Sequence, residues 1–286
     1  MEARETFLRE VASFEGRLDP DMSPPAYSCG TRRGFYDAFW PAEWAEVRGY
    51  PEDASFPYGY HVLADRLRGD TLVSFNTVFR TRFSEGDRMP EGCRPGDENP
   101  YLAARKKRWL DGVPPLVVEG FRRRYHCLAN FMPLPWGLNQ WRGFARDTAT
   151  GVANPGLCDF PDLFFDQVRK WYEGSGDLHP LAREEFDAYR AYFDRFGRGS
   201  DGWRAFARRN HLEGSFVDEA GCVVYLFDRG DGGGPATEHL LAHARPESPA
   251  QTLEFANGAF ACWERRADVL TQATGDFSAT YLGKRR

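Results

Sequence analysis

Apolar residues recur at helical spacing along most of this chain. Phe7, Val11 and Phe14 stand four and three apart, which predicts an amphipathic helix over Ala3 to Phe14. Tyr60 to Arg68 and Thr71 to Phe83 read as two more helical stretches divided at Gly69-Asp70, with the Asp70 carboxylate placed to cap the second. Tyr101 to Leu110 and Leu116 to Tyr125 follow. Gly112 and Pro114-Pro115 separate them, because proline lacks the N–H and clashes inside a helix. The clearest pattern has Asp159 as N-cap, Pro161 in the first turn, and Phe160, Leu163, Phe164, Val168, Trp171 and Tyr172 on one face, with Gly174 and Gly176 to end it. Phe186, Tyr189, Phe193 and Phe196 predict a helix over Leu181 to Phe196, stopped by Gly197 and Gly199, and Trp203 with Phe206 marks a short one after it. A long final helix starts near Ser248 and Pro249, with the stripe Leu253, Ala256, Phe260, Trp263, Ala267 and Leu270.

One segment breaks this rhythm. Gly221 to Phe227 (GCVVYLF) is β-branched, apolar and short, and is predicted as a strand, followed by a loop over Asp228 to Pro235. Residues 19–57 and 84–100 lack periodicity and are rich in Pro, Gly and Asp; loops that long are uncommon in a compact domain unless functional or mobile. There is no internal repeat and no interdomain linker. The predicted fold class is mainly α with a small β element (α+β), a single helical domain over 1–286.

Composition narrows the classes. Hydrophobic residues make up 42% and aromatics 15%, which excludes disorder for the bulk of the chain, and the 23 Phe predict a core built on rings. No apolar run approaches the roughly 18 to 20 residues of a membrane helix. The start, MEARETFLREVASFEG, reads as an acidic amphipathic helix rather than a secretory signal, so a soluble cytoplasmic protein without a membrane partner is expected. Cys29, Cys93, Cys127, Cys158, Cys222 and Cys262 show no short spacing. A disulfide framework or a zinc site would need close pairs, so reduced, buried or incidental thiols are expected, with no metal and no cofactor.

Charge is unevenly spread. Between Tyr101 and Asp147 nine basic residues oppose three acidic ones, giving +6, and the overall −5 then leaves −11 elsewhere. That asymmetry suits an anionic partner; the alternative is neutralisation by acidic helices of the same fold. Arg105 to Arg108 (RKKR) is distributed around a helix and reads as a solvated surface.

The densest chemistry lies in Phe121 to Asp147, FRRRYHCLANFMPLPWGLNQWRGFARD. Arg124 and Arg142 offer planar forks of donors suited to carboxylate or phosphate, Asn139 and Gln140 each offer a donor and an acceptor, and Tyr125, Phe131, Trp136 and Trp141 offer stacking surfaces. The competing reading has Asn139 capping a helix, Arg142 in an ion pair with Asp147, and the rings in the core. His126 with Asn130 and Asn139 raises a second chemistry, a metal-dependent nuclease in which His126 is the base, an asparagine orients water and a later His or Asn holds the metal. No Asp-His-x-x-Pro strand precedes that pair and no ligand cluster follows it. His239 and His243 in EHLLAH are four apart and lack a third ligand. No phosphate-binding loop and no Gly-x-Ser-x-Gly elbow is present, and GDGGGP does not sit between a strand and a helix.

DTLVSFNTVF (Asp70 to Phe79), LNQWRG (Leu138 to Gly143), VRKWYEG (Val168 to Gly174) followed by HPL, and GWRAFARRNHL then FVDEAG (Gly202 to Gly221) occur in that order. The series resembles a bacterial domain-of-unknown-function family with an Asn-Thr stretch and an Ile-Asn-Gln-x-Arg-Gly motif. Asn76 and Thr77 match the first, Asn139, Gln140, Arg142 and Gly143 the second, with Leu138 in place of the isoleucine. The resemblance covers residues 55–225 and implies bacterial origin and a single domain, with no activity attached. No histidine is expected in that family around His126. The function expected is binding of an anionic ligand (a nucleotide, nucleic acid or acidic partner) through 101–147, with Asn76, Arg124, Asn139, Gln140 and Arg142 as the site. A degenerate nuclease and an interaction protein or scaffold without a catalytic site stand as alternatives.

Overall fold

The computed structural model describes residues 2–8, 67–73, 78–79, 92–94, 97, 112–125, 127–135, 138, 160–230 and 243–273. Along them run α1 (Glu2–Leu8), β1 (Leu67–Thr71), α2 (Pro115–Arg124), β2 (Phe131–Pro135), α3 (Pro161–Glu173), α4 (Pro180–Ala188), α5 (Arg190–Phe193), α6 (Gly199–Arg209) and α7 (Pro249–Ala273). The fold is mainly α with a small β element. Four helices begin on a proline, whose fixed φ and missing N–H cost little in a first turn.

α3 is buried on every side from Pro161 to Val168. Its rings interlock with those of its neighbours: Phe160 meets Phe255 at 5.5 Å, Phe164 meets Phe186 at 6.0 Å, and Phe165 meets Phe216 at 6.0 Å. The predicted face is thus in the core, and Gly174 ends the helix in the left-handed region at φ 66, its N–H turned back to Lys170 and Trp171. The N-cap position belongs to Phe160, one residue later than predicted, and offers no side-chain cap; Asp159 lies outside the described residues. Leu181 to Phe196, predicted as one helix, divides at Tyr189 into α4, α5 and a 3-10 turn over Asp194–Phe196, while Phe186 and Phe193 keep their buried places.

α7 follows its predicted stripe in part, with Leu253 and Phe260 only half-buried. Ala256, Trp263, Ala267 and Leu270 are buried, joined by Phe255, Ala259 and Cys262. α1 lies on it through Phe7, which is fully buried, and through an Arg4 to Asp268 hydrogen bond of 2.6 Å.

The β element is not where the sequence pattern puts it. β1 pairs antiparallel with β2, Leu67 opposite Pro135 and Thr71 opposite Phe131. The helices predicted over Tyr60 to Arg68 and Thr71 to Phe83 are overturned where they meet β1, and Asp70 stands inside the strand opposite Met132 instead of at a helix cap. Strand pairing is settled by a distant partner that local periodicity does not register. Gly221 to Phe227, the predicted strand, forms no ladder among the described residues. Val223 makes one isolated bridge to Val217, and the Leu226 N–H donates to the Asp162 carboxylate at 3.0 Å. Of the other expected elements, Tyr101 to Leu110, all of 19–57, most of 84–100, and residues 9–14 lie outside the described residues.

Gly258 carries the closest helix approach. A Cβ there would overlap the Leu226 carbonyl and come within 3.0 Å of its Cα, both of them backbone atoms that cannot swing aside. Gly258→Ala is expected to cost about 3 kcal/mol of stability in thermal or urea denaturation, whereas Gly176→Ala, with nothing within 4 Å, changes it little. Equal stabilities for the two variants would contradict this packing.

Candidate functional site

Two groups of described charges bear on a candidate site. The first is at the end of α2, where Phe121 is buried and the following Arg122, Arg123 and Arg124 are exposed. Cations in a last turn complement the negative end of the helix dipole, so part of their charge serves α2 itself. Glu119 serves two of them, accepting from Arg122 Nε at 2.9 Å and Arg123 Nε at 2.8 Å. The hydrogen bonds from Arg122, then Arg123, hold its carboxyl below the usual range.

Arg124 is placed differently. Its guanidinium carbon sits 5.3 Å from the centre of the Phe260 ring. The nearest carboxylate oxygen among the described residues, Oε1 of Glu264, is 3.9 Å from its Nη1, beyond hydrogen-bond reach, and the guanidinium makes no hydrogen bond among the described residues. Phe260 and Glu264 are one turn apart on α7. The ring is fixed from below: Phe121 lies 5.9 Å from Phe260 and 5.1 Å from Trp263, and Phe260 and Trp263 are 5.6 Å apart. The result is a cation over a supported aromatic ring with no hydrogen bond from its guanidinium among the described residues, an arrangement fit to receive an oxyanion.

The second group is largely buried, and most of its donors are spent. Asp162 accepts Arg229 Nη1 at 2.7 Å and Nη2 at 3.2 Å, together with the Leu226 N–H. Arg229 also lies 4.2 Å from the centre of the Phe227 ring and donates to the Ala244 carbonyl. Asp166 takes Lys170 at 2.8 Å and Arg169 at 3.1 Å, and Lys170 reaches on to Asp177 at 2.9 Å. Arg266, fully buried, donates to the carbonyls of Ala129, Asn210 and His211 at 2.8 to 3.0 Å. A buried charge persists only when its hydrogen-bonding capacity is met; Asp162, Arg229 and Arg266 find their partners internally, whereas the buried Nε of Arg169 is left without one among the described residues.

Asn130 belongs with the buried group. It is fully buried, its Oδ1 accepts the Val73 N–H at 3.0 Å, and its Nδ2 donates to the Val73 and Tyr125 carbonyls. Its backbone carbonyl accepts from Leu72. The side-chain amide stands in for a peptide group and continues the β1–β2 ladder by one more residue, so both of its amide hydrogens are spent on carbonyls and none is left to orient a water. Asn76, His126, Asn139, Gln140 and Arg142 lie outside the described residues. Of the predicted site residues the structure therefore describes Arg124 and Asn130, and assigns them different tasks. Phe260 and Glu264, which complete the surroundings of Arg124, carry no local signal: Phe260 reads as one more position of a core stripe.

Among the described residues no group of three or more His, Cys, Asp or Glu side chains could hold a metal ion. His243 is exposed and 3.9 Å from Glu247, and His239 lies outside the described residues. Burial pushes the Cys127 thiol up to about 12 and that of Cys262 up to about 11, so both are protonated near neutrality. No family model, no curated protein and no solved structure gives a significant match to this chain.

Two outcomes follow from these placements. Asn130→Ala strips Val73 of both its partners and is expected to lower stability by about 3 kcal/mol, read by chemical denaturation; a loss below about 0.5 kcal/mol would contradict the clamp. Alkylation of the native protein at pH 8 with peptide mapping is expected to modify exposed Cys222 and leave Cys127 and Cys262 unmodified until denaturant is added. Prompt labelling of Cys127 in the native state would contradict its placement.

Proposed function

We propose that this chain is a bacterial, cytoplasmic binding protein for an anionic ligand, held at the C-terminal end of α2 and the segment that follows it. The observation that carries the reading is Arg124, seated on the Phe260 ring with no hydrogen bond to a carboxylate among the described residues. Arg122 and Arg123 add to it, because one exposed carboxylate, Glu119, is shared between them.

The competing reading is that these arginines are already neutralised by the chain's own acids. Relative strength decides between the two. Exposed ion pairs are screened and cost side-chain entropy, so they contribute little and yield readily to a stronger anion. The buried pairs around Asp162 and Asp166 do not yield, since separating them would leave an uncompensated charge in a dry interior. Sharing a carboxylate also leaves a positive surplus at this end of α2. An aromatic platform beneath an arginine favours planar or phosphate-bearing ligands, and the segment 101–147 carries more of both residue types, with Asn139, Gln140 and Arg142 as further candidate donors alongside Asn76. Among the described residues no helix is long and apolar enough to cross a membrane. The hydrolase alternative, with His126 as base, gains no support from Asn130.

The test is binding of a fluorescent single-stranded oligonucleotide, a nucleoside triphosphate and polyglutamate, each at low salt. For the oligonucleotide, three arginine–phosphate contacts give a slope of log affinity against log salt of about −2. Arg124→Ala is expected to weaken binding roughly threefold to tenfold and to flatten the slope by about 0.7. Arg198→Ala, more exposed than Arg124 and remote in sequence, leaves both unchanged. Absence of binding by all three probes at low salt overturns the reading, and equal effects of the two substitutions remove Arg124 from it.

A further inference from the structure

Glu264 lies between two arginines far apart in sequence. Its Oε2 is 3.5 Å from Arg4 Nη2 on α1, and its Oε1 is 3.9 Å from Arg124 Nη1 on α2. All three side chains are roughly one-third to one-half exposed, and neither distance is that of a tight pair. The other described carboxylate within reach of Arg4 is Asp268, whose Oδ1 takes Arg4 Nε at 2.6 Å. α1 is therefore held to α7 by the buried Phe7 ring and by an arginine that divides itself between two acids.

We infer that Glu264 is a switchable carboxylate that couples occupancy of the anion site at Arg124 to the docking of α1 on α7. This inference rests on the anion-binding reading above and adds a regulatory element to it. Standing 3.5 Å from one guanidinium and 3.9 Å from the other, Glu264 is in close contact with neither and is open to being drawn toward either. An anion that settles beside Arg124 satisfies that cation and repels Glu264, which swings toward Arg4 and completes a two-carboxylate grip on α1. By thermodynamic reciprocity, whatever draws Glu264 toward Arg4 makes Arg124 more available to the anion. α1 then acts as a clasp that tightens when the site fills, and a partner that pulled α1 away would return Glu264 to Arg124 and weaken the ligand.

The geometry makes the direction of each substitution specific. Removing Arg4 leaves Glu264 to Arg124 and weakens anion binding. Removing the Glu264 charge strengthens it. A simple change in net charge predicts those same two signs, so the single substitutions alone do not decide. The decisive quantity is their combination: once Glu264 is neutral, Arg4 has no route to Arg124, and its removal no longer matters.

The experiment is a double-mutant cycle read by fluorescence anisotropy, with a labelled single-stranded oligonucleotide at low salt and wild type, Arg4→Ala, Glu264→Gln and the double variant. Arg4→Ala is expected to weaken binding about threefold, Glu264→Gln to strengthen it about threefold, and Arg4→Ala to have no further effect in the Glu264→Gln background. As an independent readout, hydrogen exchange at the Phe7 and Leu8 amides should slow when oligonucleotide is added to wild type and stay unchanged in Glu264→Gln. Asp268→Asn supplies a second probe: it hands Arg4 wholly to Glu264 and should strengthen binding only while Glu264 retains its charge. Additive effects in the cycle, or equal slowing of α1 exchange in both proteins, overturn the coupling and leave the anion site standing. Absence of binding by wild type overturns the anion site and the coupling with it.

Discussion

The Arg266 guanidinium is the fastening on which the rest of the arrangement depends. It is fully buried, and its donors reach the carbonyls of Ala129, Asn210 and His211. Those carbonyls belong to two segments far apart in sequence, the 3-10 turn over Leu128–Asn130 and the end of α6. Drawing a guanidinium out of water is costly, and carbonyls at a helix end offset the cost because they carry the negative end of its dipole. His211 sits at φ 53, a conformation a non-glycine residue holds only when its surroundings fix it, and Arg266 fixes its carbonyl. The rotation of α7 about its own axis follows. With Arg266, Ala267 and Leu270 turned inward, the partly exposed residues Phe260, Glu264 and Asp268, spaced by four, form a flank. That flank meets both α1 and the end of α2.

Burial thus decides what each charge can do. Arg229 and Arg266 have exchanged water for fixed protein partners, and their role is cohesion. Arg122, Arg123 and Arg124 keep their contact with solvent; the first two share Glu119, and Arg124 stands 3.9 Å from Glu264. The same residue type appears in both groups, so composition alone cannot distinguish a strut from a site; the difference lies in what surrounds each fork. Arg124 gains preorganisation from Phe260 without giving up its donors, and that combination singles it out.

Much of the helical frame was legible from spacing. The α7 stripe, the aromatic face of α3 and the Gly174 cap all follow from local rules that act within a few residues, and the fold does not oppose them. The errors share one cause. β1 and β2 are joined across some sixty residues, and a helical period over Thr71 to Phe83 carries no information about that partner. Gly221 to Phe227 has strand composition, yet its backbone is met by the Asp162 side chain and by α7 closing on it at Gly258. Arg124 could be picked out because arginine among aromatic residues is chemically distinctive. Its platform could not, since Phe260 belongs to another helix and looks like any core ring. Asn130 beside a histidine suggested catalysis, whereas its amide serves as a substitute peptide for Val73; a residue pair in sequence says nothing of which backbone groups need filling.

The sorting of arginines is most directly read by NMR of arginine-labelled protein, following Nε–H exchange and chemical shift during addition of a single-stranded oligonucleotide. The account predicts slow exchange and unmoved signals for Arg229 and Arg266, with fast exchange for Arg124 and a shift that saturates with ligand. An Arg124 signal that is already protected in the free protein, or that stays fixed at saturating oligonucleotide while others move, would contradict it.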